Sequence, residues 1–205
     1  MLILNLLAAG KSREKVPIFP LATVLYPGSL LPLRIFEVRY MDMAKACLKD
    51  GSLFGVCLIR EGAEVGTPAV PEPVGCLARI GAADMEELGI LKVRAEGLER
   101  FRILAQETTP QGLIVGEIER LEPEPAGEAP GLQECADFLA KAIIGIGEAR
   151  FAAPYRFEDP SWVSFRLAEI LPLRNDVKQK LLELRDAPVR LAILHRFLRQ
   201  QKLIG

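Results

Sequence analysis

The pattern of hydrophobic and polar positions changes once along the chain. Residues 17–121 form short apolar runs separated by glycine and proline, which is typical of strands and turns. Residues 131–203 repeat apolar positions every three or four residues, which is typical of amphipathic helices. The pattern predicts an α+β protein with a β-rich unit at 16–121 and a helical bundle at 131–205. The flanking parts are an N-terminal extension at 1–15 and a linker at 122–130, whose prolines disfavour helix and strand.

The β-rich half is predicted to contain a hairpin. Apolar and charged residues alternate over 91–95, as in a half-buried strand. A second strand is predicted over 98–105. Glu96 and Gly97 are interpreted as the turn between these two strands. Residues 61–73 are predicted to form a surface loop. The other strands are predicted at 16–21, 29–34, 53–59, 74–82 and 112–121.

Helices are predicted from their apolar period and their end signals. One helix in the β-rich half starts at Phe36 and ends at Gly51. In the bundle, Asp159 and Asp186 combine a capping side chain with a nearby proline, a combination typical of helix starts. Asn175 is predicted to cap a shorter helix. The expected buried face of the first helix holds Phe36, Tyr40, Met43 and Cys47.

Composition excludes several classes of protein. Half of the 205 residues are hydrophobic, 26% are charged and the net charge is −1, so a disordered chain is excluded. No apolar stretch approaches the roughly 18–20 residues of a membrane span, and no general basic excess suggests a nucleic-acid binder. The apolar run at 2–9 precedes its charges at 11–15, the reverse of a secretory signal. We therefore expect a cytoplasmic protein without a membrane partner.

The cysteines indicate buried thiols rather than a metal site. Cys47, Cys57, Cys76 and Cys135 form no Cys-x-x-Cys pair, and the chain has one histidine, His195. Because each cysteine sits among apolar residues, we expect reduced, buried side chains, as in a reducing cytoplasm. The sequence predicts no metal and no cofactor.

Charge is distributed unevenly in the second half of the chain. Residues 121–173 hold four basic and nine acidic residues, whereas residues 174–205 hold eight basic and three acidic residues. One interpretation is a cationic patch for an acidic partner. The interpretation we favour is two solvated faces that partly neutralise each other.

No catalytic motif is present. The phosphate loop, the dinucleotide-binding glycines, the nucleophile elbow and the zinc-protease helix are all missing from the sequence. His195 is expected on the polar, exposed side of the last helix. Trp162 and Phe165 could form a recognition platform, but packing between the two halves is favoured. The remaining candidates are the acidic pair Glu86 and Glu87, interpreted as a solvated turn, and Glu37, Arg39 and Tyr40, interpreted as a local ion pair at a helix start.

Several segments together resemble the amino-terminal domain of Lon proteases. They cover nearly the whole chain from 16 to 203, and their order and spacing are more specific than any one of them. The segments are PIFPL at 17–21, YPG at 26–28, LPLRIFEVRY at 31–40, VGCLARI at 74–80, EGLER at 96–100, LPL at 171–173 and KQKLLE at 178–183.

The resemblance implies a β-rich pseudobarrel of the PUA-like type followed by a helical bundle. In Lon proteases this region recognises protein substrates and supports assembly, and the ATPase and Ser-Lys protease parts follow it. Since the 205 residues contain neither part, we expect a stand-alone protein without enzymatic activity. Cereblon also carries this domain, with its zinc-binding module elsewhere.

The function expected first is binding of unfolded or loosely folded polypeptides, with protease or chaperone components as further partners. Binding would use an apolar groove where the barrel meets the bundle, lined by Tyr26, Phe36 and Trp162. The alternative is nucleic-acid binding through the PUA-like fold and the basic helices at 174–202. A small-ligand enzyme would require a deep polar pocket with converging ionisable groups.

Overall fold

The computed structural model describes residues 13–87, 89–124 and 127–205, with the side chains of Glu86 and Glu87 left out. The described residues form seven strands and five α-helices. The strands are β1 (Arg13–Leu21), β2 (Leu30–Ile35), β3 (Phe54–Glu61), β4 (Val70–Pro71), β5 (Val74–Glu87), β6 (Ile90–Thr108) and β7 (Ile114–Arg120). The helices are α1 (Val38–Asp50), α2 (Leu132–Ile146), α3 (Pro160–Ile170), α4 (Asn175–Glu183) and α5 (Ala187–Gln200).

The strands close into a barrel. The order is β1, β7, β6, β5, β3, and β1 then pairs with β3 in parallel, which completes the ring. β2 joins the outside of this ring through β6, and the short β4 joins it through β3. Closure satisfies the edges that an open sheet would leave unpaired. The β-rich pseudobarrel and the helical bundle after it are confirmed.

The predicted hairpin at Glu96 and Gly97 is wrong, because β6 runs through both residues without a break. Gly97 is instead where a neighbouring turn crosses the strand. Its amide donates to the carbonyl of Ser29 at 2.9 Å, and its carbonyl accepts from the amide of Gly28 at 2.7 Å. A Cβ at position 97 would collide with the carbonyl oxygen of Tyr26. The glycine therefore permits a close backbone approach.

Two other local predictions change in the β-rich half. Helix α1 begins at Val38, so Phe36 lies before it and is 53% exposed instead of joining its buried face. Gly51 ends the helix with φ of +66°, as predicted. Glu86 and Glu87 belong to strand β5 instead of a turn. The predicted burial is confirmed for Tyr40, Met43 and Cys47.

The helix starts of the bundle follow their capping signals in two of three cases. Asp159 accepts a hydrogen bond from the Ser161 amide at 2.8 Å, and Asp186 accepts one from the Val189 amide at 2.9 Å. Asn175 is not a cap, because it is the first residue of α4 and its side chain donates to the Ala22 carbonyl at 2.6 Å. It thus connects the bundle to the barrel.

The two halves share a buried interface. Tyr26, fully buried, lies with its ring centroid 5.5 Å from that of Phe165 and donates its hydroxyl to the Lys178 carbonyl at 2.9 Å. Gln179 donates to the carbonyl of Val74 at 3.0 Å. A turn and a strand of the barrel are therefore fixed against α3 and α4.

A buried ion-pair network centred on Glu124 strengthens this interface. The carboxylate lies 2.7 Å from Nη2 of Arg100 on β6 and accepts two hydrogen bonds from Arg190 on α5, at 2.7 and 2.5 Å. Ser161 donates to it at 2.7 Å. The side chains of Arg100, Glu124 and Arg190 are all at most 5% exposed. Arg100 also donates to the Leu182 and Leu184 carbonyls, so one cluster links barrel, connecting segment and bundle.

The protonation of Glu124 follows from this setting. Burial alone would raise the pKa of its carboxyl group, but hydrogen bonds and charges from Arg190, Ser161 and Arg100 outweigh burial. The net pKa of Glu124 lies below its ordinary value. Burial also lowers the pKa of Arg100, and the charge of Glu124 opposes that change.

The close crossing at Gly97 predicts that Gly97→Ala destabilises the protein by about 1–3 kcal/mol, the usual cost of overpacking. Gly81→Ala is the control, because its new Cβ would lie 3.7 Å from the nearest atom, an ordinary contact. Urea unfolding of both variants measures the difference. Equal stabilities for the two variants would contradict the assigned role of Gly97.

The ion-pair network predicts that Glu124→Gln destabilises the protein by about 3–5 kcal/mol at pH 7, since two buried guanidinium groups lose their counter-charge. Glu122→Gln, two residues away and exposed, is the matched control and should change stability by less than about 0.5 kcal/mol. Urea unfolding again measures both.

The lowered pKa of Glu124 also predicts how the stability effect of Glu124→Gln changes with pH. Because the native pKa of Glu124 is lowered, its charge stabilises the fold above the unfolded-state pKa of about 4.3. That contribution is lost as pH falls through the native pKa. The difference in unfolding free energy between wild type and Glu124→Gln should therefore narrow below about pH 4. A difference that stays constant with pH would contradict this assignment.

Candidate functional site

A cleft of about 660 Å³ lies where the barrel meets the bundle. One wall is the segment 96–100 of β6 with the turn at Pro27 and Gly28. The second wall is the connecting segment at 121–124, and the third is formed by residues 156–162 at the start of α3. The groove expected at this junction is therefore present in the structure.

The cleft has an apolar lining formed by Leu98, which is partly exposed, and by small exposed parts of Trp162 and Phe165, which are 5% and 4% exposed. The Trp162 ring is held by Phe157 at 5.4 Å, edge to face, and by Tyr155 at 5.9 Å. Phe165 packs against Tyr26 and lies 3.7 Å below the Arg190 guanidinium. Phe165 thus packs between the halves, as the favoured interpretation predicted, whereas Trp162 packs within the bundle.

The charged lining of the cleft is predominantly acidic. Its basic members, Arg100 and Arg156, face Glu124 at 2.7 Å and Asp159 at 3.9 Å. Glu99 is paired with Arg120 outside the cleft, at 2.9 Å. Three more lining carboxylates have no ion-pair or hydrogen-bond partner among the described residues: Glu96, Glu122 and Glu158.

A second, smaller groove of about 270 Å³ lies on the barrel between β1, β2 and the start of α1. Its base contains Phe19 stacked on Tyr40 at 4.1 Å, and its rim contains Phe36 and Val65, both more than half exposed. Arg39 pairs with Glu37 at 2.8 Å, which confirms the predicted local ion pair.

The structure does not bring the three expected binding residues together. Trp162 lines the cleft, whereas Phe36 lines the second groove. Tyr26 is 0% exposed and fixes the junction from inside, so it offers no surface to a ligand. Sequence reasoning missed the acidic wall at 96–100, because the segment was interpreted as a turn. Its two carboxylates, Glu96 and Glu99, are the feature of the sequence that indicates an acidic surface.

The remaining ionisable candidates are engaged in the fold. His195 is 19% exposed instead of free on the surface, and its Nε2 lies 2.9 Å from Glu134 on α2. It therefore joins α5 to α2. Within the described ranges no three His, Cys, Asp or Glu side chains are placed to hold a metal ion.

The thiols are buried and free, as predicted. Burial raises the pKa of Cys76 to about 12 and that of Cys135 to about 11, and it raises the pKa of Cys47 and Cys57 as well. At neutral pH these groups stay protonated, and a protonated thiol is a poor nucleophile.

Some of the basic residues after position 173 contact carboxylates or carbonyl groups within the fold. Arg190 and His195 contact carboxylates of the acidic segment before them, Glu124 and Glu134. These contacts favour the interpretation of two faces that compensate each other. Four more basic residues have acceptors nearby: Arg174 with Asp176, Lys178 with the Glu169 carbonyl, Lys180 with Glu183, and Arg199 with the Gly205 carbonyl.

In the described part of the chain, each helix is too short or too polar to cross a lipid bilayer.

Comparison with known proteins places this fold in a family. The model of the ATP-dependent protease La (LON) substrate-binding domain matches residues 15–200. The Lon protease of Dictyoglomus thermophilum is 25% identical over 184 residues, which is 87% of this chain and 23% of that protein. Cereblon of Danio rerio is 30% identical over 122 residues, 56% of this chain and 28% of that protein. The chain thus spans about a quarter of the length of these curated relatives.

Solved structures agree with this assignment. A Lon N-terminal domain protein from Xanthomonas campestris superimposes with a TM-score of 0.73 at 35% identity, covering 88% of this chain and 96% of that one. The N-terminal domain of a Mycobacterium avium complex Lon protease shares the fold, with a TM-score of 0.61 at 20% identity over the same shares. The chain belongs to the family of Lon substrate-binding domains.

Proposed function

We propose that this protein binds unfolded or loosely folded polypeptide segments in the cleft between barrel and bundle, without catalysing a reaction. The observation that carries the proposal is the apolar lining around Trp162, enclosed by walls from both halves of the fold. The description of the family as a substrate-binding domain supports the same function.

The size of the cleft fits a polypeptide segment better than a folded partner. Its volume of about 660 Å³ lies within the roughly 300–1,000 Å³ typical of ligand pockets, enough for a few side chains. An apolar lining favours binding of apolar side chains, which a folded protein keeps buried. Selection of unfolded chains then follows from exposure of those side chains, with little demand on their sequence.

The ionisable groups near the cleft support a binding role over a catalytic one. Arg100 and Arg190 are both bound to Glu124. A protein of this kind would act beside protease or chaperone components, which would process the captured chain. The buried free thiols suit a reducing cytoplasm.

Trp162 provides a direct test, because it is the single tryptophan of the chain and lines the cleft. Titration with a tryptophan-free polypeptide that is permanently unfolded should change the Trp162 emission and saturate. Its folded parent, which lacks the one substitution that keeps the polypeptide unfolded, is the control and should leave the emission unchanged. Equal responses to both forms would contradict the proposal.

Two variants distinguish the cleft from the second groove. Leu98→Gln removes an apolar side chain from the cleft and should weaken binding about tenfold, since a buried apolar contact is worth about 1–2 kcal/mol. Phe36→Gln makes the matched change in the second groove and should leave the affinity unchanged. Loss of binding in Phe36→Gln alone would place the site in the second groove and overturn the proposal.

A further inference from the structure

We infer that the cleft selects polypeptide segments that carry lysine or arginine beside apolar residues. This inference rests on the proposed function, since it names the class of segment that the same cleft accepts. It follows from the distribution of charge around the apolar lining.

The three unpaired carboxylates, which we call the rim carboxylates, come from three different walls of the cleft. Glu96 lies on β6, Glu122 on the connecting segment and Glu158 directly before the cap of α3. Arg79 lies opposite Glu96 in the β5–β6 register but makes no ion pair with it among the described residues. A segment lying in the cleft therefore meets negative charge on every side.

The cationic groups of the cleft do not offset this charge. The Arg100 guanidinium binds Glu124 and two backbone carbonyls, and Arg156 lies 3.9 Å from Asp159. An acidic segment would find no free cation among the described lining residues and would be repelled by the rim. A basic segment supplies the missing counter-charges, and walls of low dielectric strengthen the attraction.

The shape of basic side chains also suits the cleft. Lysine and arginine have long apolar stems that pack along hydrophobic surface while their charged ends reach polar groups. Such a side chain can lie along the surface near Trp162 and Leu98 and place its cation among the rim carboxylates.

The second groove lacks this feature. Its two lining carboxylates are engaged, Glu37 with Arg39 at 2.8 Å and Glu64 with the Ala22 amide at 2.6 Å. A preference for basic segments therefore identifies the cleft as the site of binding.

Three unstructured peptides test the inference. They share one apolar core and differ only in flanks of lysine, glutamine or glutamate, and their affinities are measured by Trp162 emission at low salt. The lysine peptide should bind about tenfold more tightly than the glutamine peptide, and the glutamate peptide more weakly than both. Raising the salt concentration should remove most of the difference, because exposed charges are screened.

Neutralising the rim supplies the second measurement. The triple variant Glu96→Gln, Glu122→Gln, Glu158→Gln should bind all three peptides with similar affinity and keep its affinity for the glutamine peptide. The control triple variant Asp42→Asn, Asp50→Asn, Glu148→Gln makes the same charge change at exposed positions away from the cleft and should keep the preference. If the rim variant fails to fold, the single variant Glu158→Gln should still reduce the preference.

The outcomes separate the two proposals. Equal binding of the lysine and glutamine peptides, or an unchanged preference in the rim variant, overturns the inference and leaves polypeptide binding intact. Failure of all three peptides to bind overturns both.

Discussion

The Glu124 carboxylate, held between Arg100 and Arg190, is the contact on which the rest of the structure depends. Its burial would be costly for an isolated charge and is compensated by two guanidinium groups and the Ser161 hydroxyl. Because the three charged residues belong to β6, the connecting segment and α5, the network fixes the barrel and the bundle at one spacing. That spacing defines the cleft, whose walls come from β6, the connecting segment and the start of α3.

The sequence predicted the architecture well because its signals are local. Asp159 and Asp186 satisfy orphan amides at helix starts, and Gly51 ends α1 with a positive φ, and each signal is readable within four residues. The resemblance to Lon N-terminal domains rested on such segments in the right order. Family and fold were accordingly within reach of the sequence alone.

The site was harder to predict because it depends on contacts between distant residues. The sequence around Gly97 is typical of a turn, but the position requires glycine because the Tyr26 backbone crosses close to it. Glu124 reads as part of a polar linker, and its two arginines lie 24 and 66 residues away. Tyr26 is expected from the sequence to line a groove, but Phe165 of the other half packs against it and it is fully buried. No local pattern contains these pairings.

The central claim is that polypeptide occupies the cleft between barrel and bundle. Hydrogen-exchange mass spectrometry of the intact protein, with and without a saturating unfolded polypeptide, tests it most directly. The account predicts slower amide exchange at residues 96–100 and 156–162, which line two walls of the cleft, and no change at residues 31–36 in the second groove. Protection confined to residues 31–36 would contradict it.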